Sequence, residues 1–289
     1  MPERVTAQVA GRTIVLSHLD KPLWPSFSKA QVLDYYLRVA GVLIGHARRR
    51  PATFLRAPAG ALGTTFFTHQ VPDGLPPWIA TAPGRSRTHI ALDDAQTLIA
   101  AVNFECLEIH LPQWNVESGP DLHDRLVFDL DPGEGADIAT CCRVGLLVRE
   151  RLAADGLTGY PVTSGGKGLH IYVALAPPWL AKDAVGYARA LARCLATSRP
   201  DLITAVRGVA ARSGGRVLVD WAQNHTHAKT AAPYTLRVGS GEPQVSAPLD
   251  WHEVEAADRE QLAFAPAAVL ERVAEHGDLA AGLIDRPPF

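Results

Sequence analysis

The 289-residue sequence predicts an α+β fold, on three observations. Two-residue and 3.6-residue periodicities both occur, without the strict alternation of a doubly wound parallel sheet. The composition, 47% hydrophobic and 20% charged, is that of an ordinary core-forming soluble chain. The length suits one large core or two closely joined lobes, and no repeat, low-complexity tract or long linker interrupts it.

Taken in order, Val5, Ala7 and Val9, then Thr13 to Leu16, alternate as strands do. Ser28 is an N-cap for a helix through about Arg38, carrying Val32, Leu33, Tyr35, Tyr36 and Leu37. Residues 50–90 are rich in Pro and Gly and read as short strands and loops. A helix over 93–101 follows. Residues 106–111 alternate, with Leu107, Ile109 and Leu111 on one side and Glu108 and His110 on the other. Residues 125–131 form a strand ending in a Pro-Gly turn, and a helix over about 138–155 is ended by Gly156. Pro161 to Thr163 leads into a glycine-rich loop, then a strand over 169–175 and a helix over about 181–196. Residues 217–221 are a short strand, and from Asp258 onward the chain reads as helical, with a packing role.

The net charge of -2 does not advertise a nucleic-acid binder, but phosphate contacts need only a local basic surface. Only five lysines stand against 23 arginines, and Lys21, Lys29, Lys167 and Lys229 fall in the segments singled out below. Cys106, Cys141, Cys142 and Cys194 have no metal-ligand spacing and read as buried reduced thiols. No apolar run approaches the roughly 20 residues that span a bilayer, and Met-Pro-Glu-Arg-Val is no signal peptide. A cytoplasmic protein with no membrane partner is expected.

Four constellations carry chemistry. Asp129 and Asp131, two apart on a strand, put both carboxylates on one face, where they repel unless a cation such as Mg²⁺ or Mn²⁺ lies between them. The bland alternative is a pair of turn-capping aspartates. Ser164-Gly165-Gly166-Lys167-Gly168, followed by His170, offers backbone approach, a hydroxyl and a cation for a triphosphate, or else is an ordinary glycine turn. It is no Walker A loop, because it leads into a strand. Asp220, delivered by an apolar strand, supplies a third carboxylate or caps a turn, and Lys229 and Arg237 follow as candidate phosphate contacts. His110 on its polar strand side is functional or structural.

The order and wording of these segments resemble the polymerase domain of the bacterial ATP-dependent DNA ligase D, in the archaeo-eukaryotic primase superfamily. The resemblance runs from about residue 12 to 283. It rests on Leu16-Ser17-His18-Leu19-Asp20-Lys21-Pro22-Leu23-Trp24-Pro25, Arg50-Pro51-Ala52-Thr53, Phe66-Phe67, Glu108 to Trp114, VFDLDPGEG (127–135), PVTSGGKGLHIY (161–172), VLVDWAQN (217–224) and Ala232 to Arg237. It implies a primase-polymerase fold: a central mixed or antiparallel catalytic sheet flanked by helices, with a smaller N-terminal portion. A single domain over 1–289 is expected, about 1–100 contacting the DNA end and about 101–289 forming the catalytic core.

By resemblance Asp129, Asp131 and Asp220 bind two Mn²⁺ (or Mg²⁺) ions. His110, Ser164, Lys167, His170 and Arg237 surround the nucleoside triphosphate, with Gln223 a further contact. Lys21 and Lys29 grip the 5′-phosphate of a DNA end or gap, and Phe66 and Phe67 pack on the template. The implied activity is metal-dependent addition of ribo- or deoxyribonucleotides to DNA 3′ ends, for gap filling or end extension in repair, at the bacterial nucleoid. With no room for a ligase domain, the chain is expected to work with a separate DNA ligase and end-binding repair proteins.

The sequence also departs from the family. Leu55 stands where some members carry a lysine and His69 where one is common, the 25–29 loop is shortened relative to some members, and 213–216 lacks a basic residue for which Arg212 or Arg216 is the substitute. Altered end preference is expected, not inactivity. Two other classes compete: a non-catalytic module that binds or bridges DNA ends, and a haloacid-dehalogenase-like phosphatase. The phosphatase motif sits near the N-terminus with Thr or Val where Gly133 stands here.

Overall fold

The computed structural model describes residues 4–70, 72–84, 88–239, 241–257 and 262–284, an α+β chain as predicted. It divides into two compact units, each discontinuous in sequence. The first is Met1–Leu111, Ala231–Val245 and Phe264–Gly277, and the second is Pro112–Thr230, Ser246–Ala263 and Asp278–Phe289.

In the first unit, Arg4–Val9 and Arg12–Ser17 form an antiparallel hairpin. Its two-residue turn needs positive φ at both positions, and Ala10 (43°) and Gly11 (84°) supply it. Ser28 begins helix Lys29–Ala47 with a capping box completed by Gln31. The helix continues past Arg38 because Val39, Ala40, Leu43, Ile44 and Ala47 extend the buried stripe, while Leu37 faces outward. Gly41 does not take the positive φ with which a glycine ends a helix, and the helix runs through it.

Strand Pro51–Arg56 pairs antiparallel with Cys106–Leu111, Phe66–Thr68 and Thr88–Ala91, the last of which pairs with Thr81–Pro83. Helix Ala95–Asn103 is capped by Asp94. Alternation along Cys106–Leu111 holds, yet the polar side is not at the surface. Thr235 accepts the Ile109 amide and the Val238 amide donates to Glu108, so residues 235–238 cover that side and bury Glu108.

In the second unit a five-stranded mixed sheet runs Gly159–Thr163, Leu169–Leu180, Leu122–Pro132, Val217–Asp220, Ile203–Thr204. Only the last pair is parallel. Helices Ile138–Ala154 and Ala181–Ser198 pack on it. Gly145 permits the first to approach, since a Cβ there would stand 3.0 Å from Leu169. Val127, Val162 and Tyr172 pack on the C-terminal Ala280 and Leu283. By the two-residue period, Asp129 and Asp131 share the face of Val127.

The Val217–Asp220 strand stops one residue earlier than predicted, because Trp221–Asn224 is a 3-10 turn capped by Asp220. Where that ladder ends, the Asn224 side chain continues it: Oδ1 accepts the Val127 amide at 2.9 Å and Nδ2 donates to the Val127 carbonyl at 2.7 Å. Residues 258–261 of the predicted C-terminal helix lie outside the described residues; the helix observed there is Pro266–His276. Cys106, Cys141 and Cys142 are buried and free as expected, but Cys194 is exposed on its helix. No helix among the described residues is long and apolar enough to cross a membrane.

Candidate active site

In the second unit Asp129 lies in register with Asp220 on one neighbouring strand and His170 on the other. Residues paired across a sheet point their side chains to the same face. One row therefore carries His170, Asp129 and Asp220, with Asp131 two residues further along. Burial and then the charge of Asp129 push the Asp131 carboxyl up to about 6, against the opposing pull of Arg212. Burial also raises Asp220, with Asp129 adding to it, although the Ala222 amide and Arg207 act the other way.

Each acid is held by protein groups. Arg212 stands 3.6 Å from Asp131, Arg207 3.4 Å from Asp220, and His170 Nε2 3.4 Å from Asp129. Asp220 also accepts from the Ala222 amide at 3.0 Å and from Gln223 at 3.4 Å, so the Gln223 amide is turned to the acid. As placed, no three His, Cys, Asp or Glu side chains among the described residues enclose one metal position. The donor set nevertheless fits hard divalent cations: three crowded carboxylates, two of them with raised pKa, on one sheet face.

Sequence reasoning gave Arg207 no role and named Arg212 only as a substitute for a missing base. Both belong to a segment laid across the Pro132-Gly133 turn. The Gly133 amide donates to the Arg216 carbonyl at 2.9 Å. A Cβ on Gly133 would stand 2.0 Å from the Arg212 carbonyl oxygen. The turn glycine thus admits the backbone that delivers a cation to Asp131.

The glycine loop closes on itself, with the Ser164 hydroxyl accepting from the amides of Gly166 (3.3 Å) and Gly168 (3.0 Å). Gly168 is required, since a Cβ would stand 2.5 Å from the Leu130 carbonyl oxygen. Lys167 is exposed, while His170 is buried with no hydrogen-bond partner at Nδ1 among the described residues.

The first unit holds the other predicted residues in two groups. Glu108 accepts from His110 Nε2 at 2.9 Å and stands 3.3 Å from Arg237 Nε. Burial alone would raise its carboxyl, but His110, Arg237 and the Val238 amide outweigh burial and hold it below its ordinary value. Phe67 meets the His110 ring edge-on at 5.2 Å, and Arg56 covers Phe66 at 5.5 Å. Both phenylalanines are exposed, at 46% and 56%, so neither is core packing. In the second group Lys21 and Lys29 each stand 3.2 Å from the same Glu105 oxygen. Lys29 is 1% exposed and also donates to the Asn103 carbonyl; Lys21 is the one at the surface. Burial lowers the Lys29 pKa, and Glu105 opposes the shift.

The sequence pattern of the LigD primase-polymerase domain matches residues 28–280. The chain is 39% identical over 279 residues to the multifunctional non-homologous end joining DNA repair protein LigD of Mycobacterium tuberculosis, covering 92% of this chain and 36% of that protein. It is 29% identical over 252 residues to the bifunctional non-homologous end joining protein LigD of Bacillus subtilis, covering 86% and 40%. The chain thus spans little more than a third of the length of these curated relatives. The solved polymerase domain of Mycobacterium tuberculosis ligase D, in complex with DNA, superposes with a TM-score of 0.88 at 39% identity, covering 95% of this chain and 99% of that one. With the matched pattern spanning most of its length, the chain belongs to the LigD primase-polymerase domain family.

Proposed function

We propose that the chain is a metal-dependent nucleotidyltransferase that adds ribo- or deoxyribonucleotides to DNA 3′ ends, filling gaps or extending ends in non-homologous end joining. The observation that carries this reading is the Asp129–Asp220 register with Asp131 on the same face, beside a glycine loop rooted on the adjoining strand. A pure DNA-end binder has no use for three crowded carboxylates.

Asp129, Asp131 and Asp220 would hold two divalent ions, Mn²⁺ or Mg²⁺. Such ions supply acidification of the primer hydroxyl and charge neutralisation for departing pyrophosphate. The chain's own groups orient the reactants. Ser164, Lys167 and His170 take the triphosphate, Arg237 adds a bidentate phosphate contact, His110 touches the nucleotide, and Gln223 steadies Asp220. Lys21, backed by buried Lys29, receives a 5′-phosphate, and Phe66 and Phe67 offer faces to template bases. These roles treat 1–289 as one functional domain, with its DNA-end part before about residue 100. A separate DNA ligase and end-binding proteins would complete joining, at the nucleoid in the cytoplasm.

The test is primer extension on a gapped duplex with a 5′-phosphate, with Mn²⁺ or Mg²⁺ and with either sugar. The Asp129→Ala variant is expected to lose incorporation by about a hundredfold or more while binding the duplex as wild type does. Undiminished extension by that variant rejects the reading. Release of phosphate from small phosphoesters without DNA would favour the phosphatase class.

A further inference from the structure

The mechanism above makes no use of Glu108, a carboxylate only 2% exposed. It receives the His110 Nε2 proton at 2.9 Å, the Arg237 guanidinium at 3.3 Å and the Val238 amide. Its cross-strand partner is Leu55, itself in register with Phe67, so apolar side chains line its row. A charge in such a place is costly unless paired, and packed apolar residues would serve stability as well or better. Its arrangement is specific instead. His110 is two residues along the same strand, and Arg237 comes from a distant segment, so one carboxylate ties together two residues far apart in sequence.

We infer that Glu108 is a positioning residue for the nucleotide contacts, setting the His110 ring and the Arg237 guanidinium in a fixed relation. The inference rests on the proposed roles of His110 and Arg237. A carboxylate 2.9 Å from Nε2 makes that nitrogen the protonated one, and Phe67 packs against the ring in a T-shaped contact at 5.2 Å. Arg237 Nε stands 3.3 Å from the carboxylate oxygen that His110 Nε2 also faces, so one oxygen sets both side chains. Gln at 108 keeps the shape but removes the charge, and its NH₂ group must face either the Val238 amide or the His110 and Arg237 nitrogens, so the three contacts cannot all be kept.

The experiment measures KM and kcat for a templated ribonucleoside triphosphate in Glu108→Gln, His110→Ala, Arg237→Ala and the Glu108→Gln/Arg237→Ala double variant. Affinity for a 5′-phosphorylated gapped duplex and the melting temperature are read in parallel. In Glu108→Gln, KM is expected to rise about tenfold, in line with loss of an orienting partner, with duplex affinity unchanged. In the Arg237→Ala background the same change should raise KM by a smaller factor than in wild type, because only the His110 contact is left to lose. An unchanged KM, or an equal rise in both backgrounds, overturns the inference. So does a lower melting temperature with no KM shift. If His110→Ala and Arg237→Ala themselves leave KM unchanged, the proposed roles of those residues fall first and the inference with them. Should Glu108→Gln fail to fold, Glu108→Asp keeps the charge but withdraws it by one methylene, and a KM no higher than wild type rejects the inference.

Discussion

Glu108 is stabilised as an anion by two hydrogen-bond donors, His110 and the Val238 amide, and by the charge of Arg237 despite its burial, so it links stability to pH in a definite direction. Its folded pKa lies below the ordinary 4.5, which means its contribution is present above that value and lost as pH falls through the folded pKa. The melting-temperature gap between wild type and Glu108→Gln should therefore hold at pH above 4.5 and narrow as pH falls below it; a gap that stays constant into strong acid would contradict this. At this scale legibility followed sequence distance. Asp129 and Asp131 could be placed on one face because strand alternation is a local rule. The Arg237 contact to Glu108 and the Arg207 contact to Asp220 come from chain reversals that no local period encodes, and both were missed.

The Ser28 start was legible because a cap is a local device that satisfies exposed amides, whereas the helix expected over 93–101 begins at Ala95, behind an Asp94 cap that was not singled out. Ends were read less well. Lys29–Ala47 outran the expected Arg38 because its buried stripe, not a terminal residue, set its length. Gly133 shows why loops resist such reading. It looks like an ordinary turn glycine, yet its missing Cβ is what lets the Arg212 backbone cross. Gly133→Ala should cost about 1–3 kcal/mol in denaturant unfolding, as forced overpacking does, and should speed proteolytic cleavage in 205–216. A stable variant with unchanged cleavage would show that the crossing is not held by that glycine.

Over the whole chain a net charge of -2 leaves little general attraction to DNA, so end recognition must come from local cations. The Lys21/Lys29 pair is the place proposed for it, with one ammonium at the surface and one buried behind it on the same carboxylate oxygen. Lys21→Ala is expected to remove the preference for a 5′-phosphorylated over a 5′-hydroxyl end. It should also reduce the slope of log affinity against log salt by about one, read by fluorescence anisotropy; an unaltered slope would place the phosphate elsewhere. The α+β class was legible from mixed periodicities, whereas the return of 231–245 and 264–277 to the first unit was not, since linear reading assigns neighbours by sequence. Two like charges facing each other across strands would wedge those strands apart, but the Asn224 amide grips the Val127 peptide group from outside the charged pair. The neutral clasp thereby lengthens the ladder that spaces the acid-bearing backbones, so the frame beneath the carboxylates keeps its gauge without any charged tie.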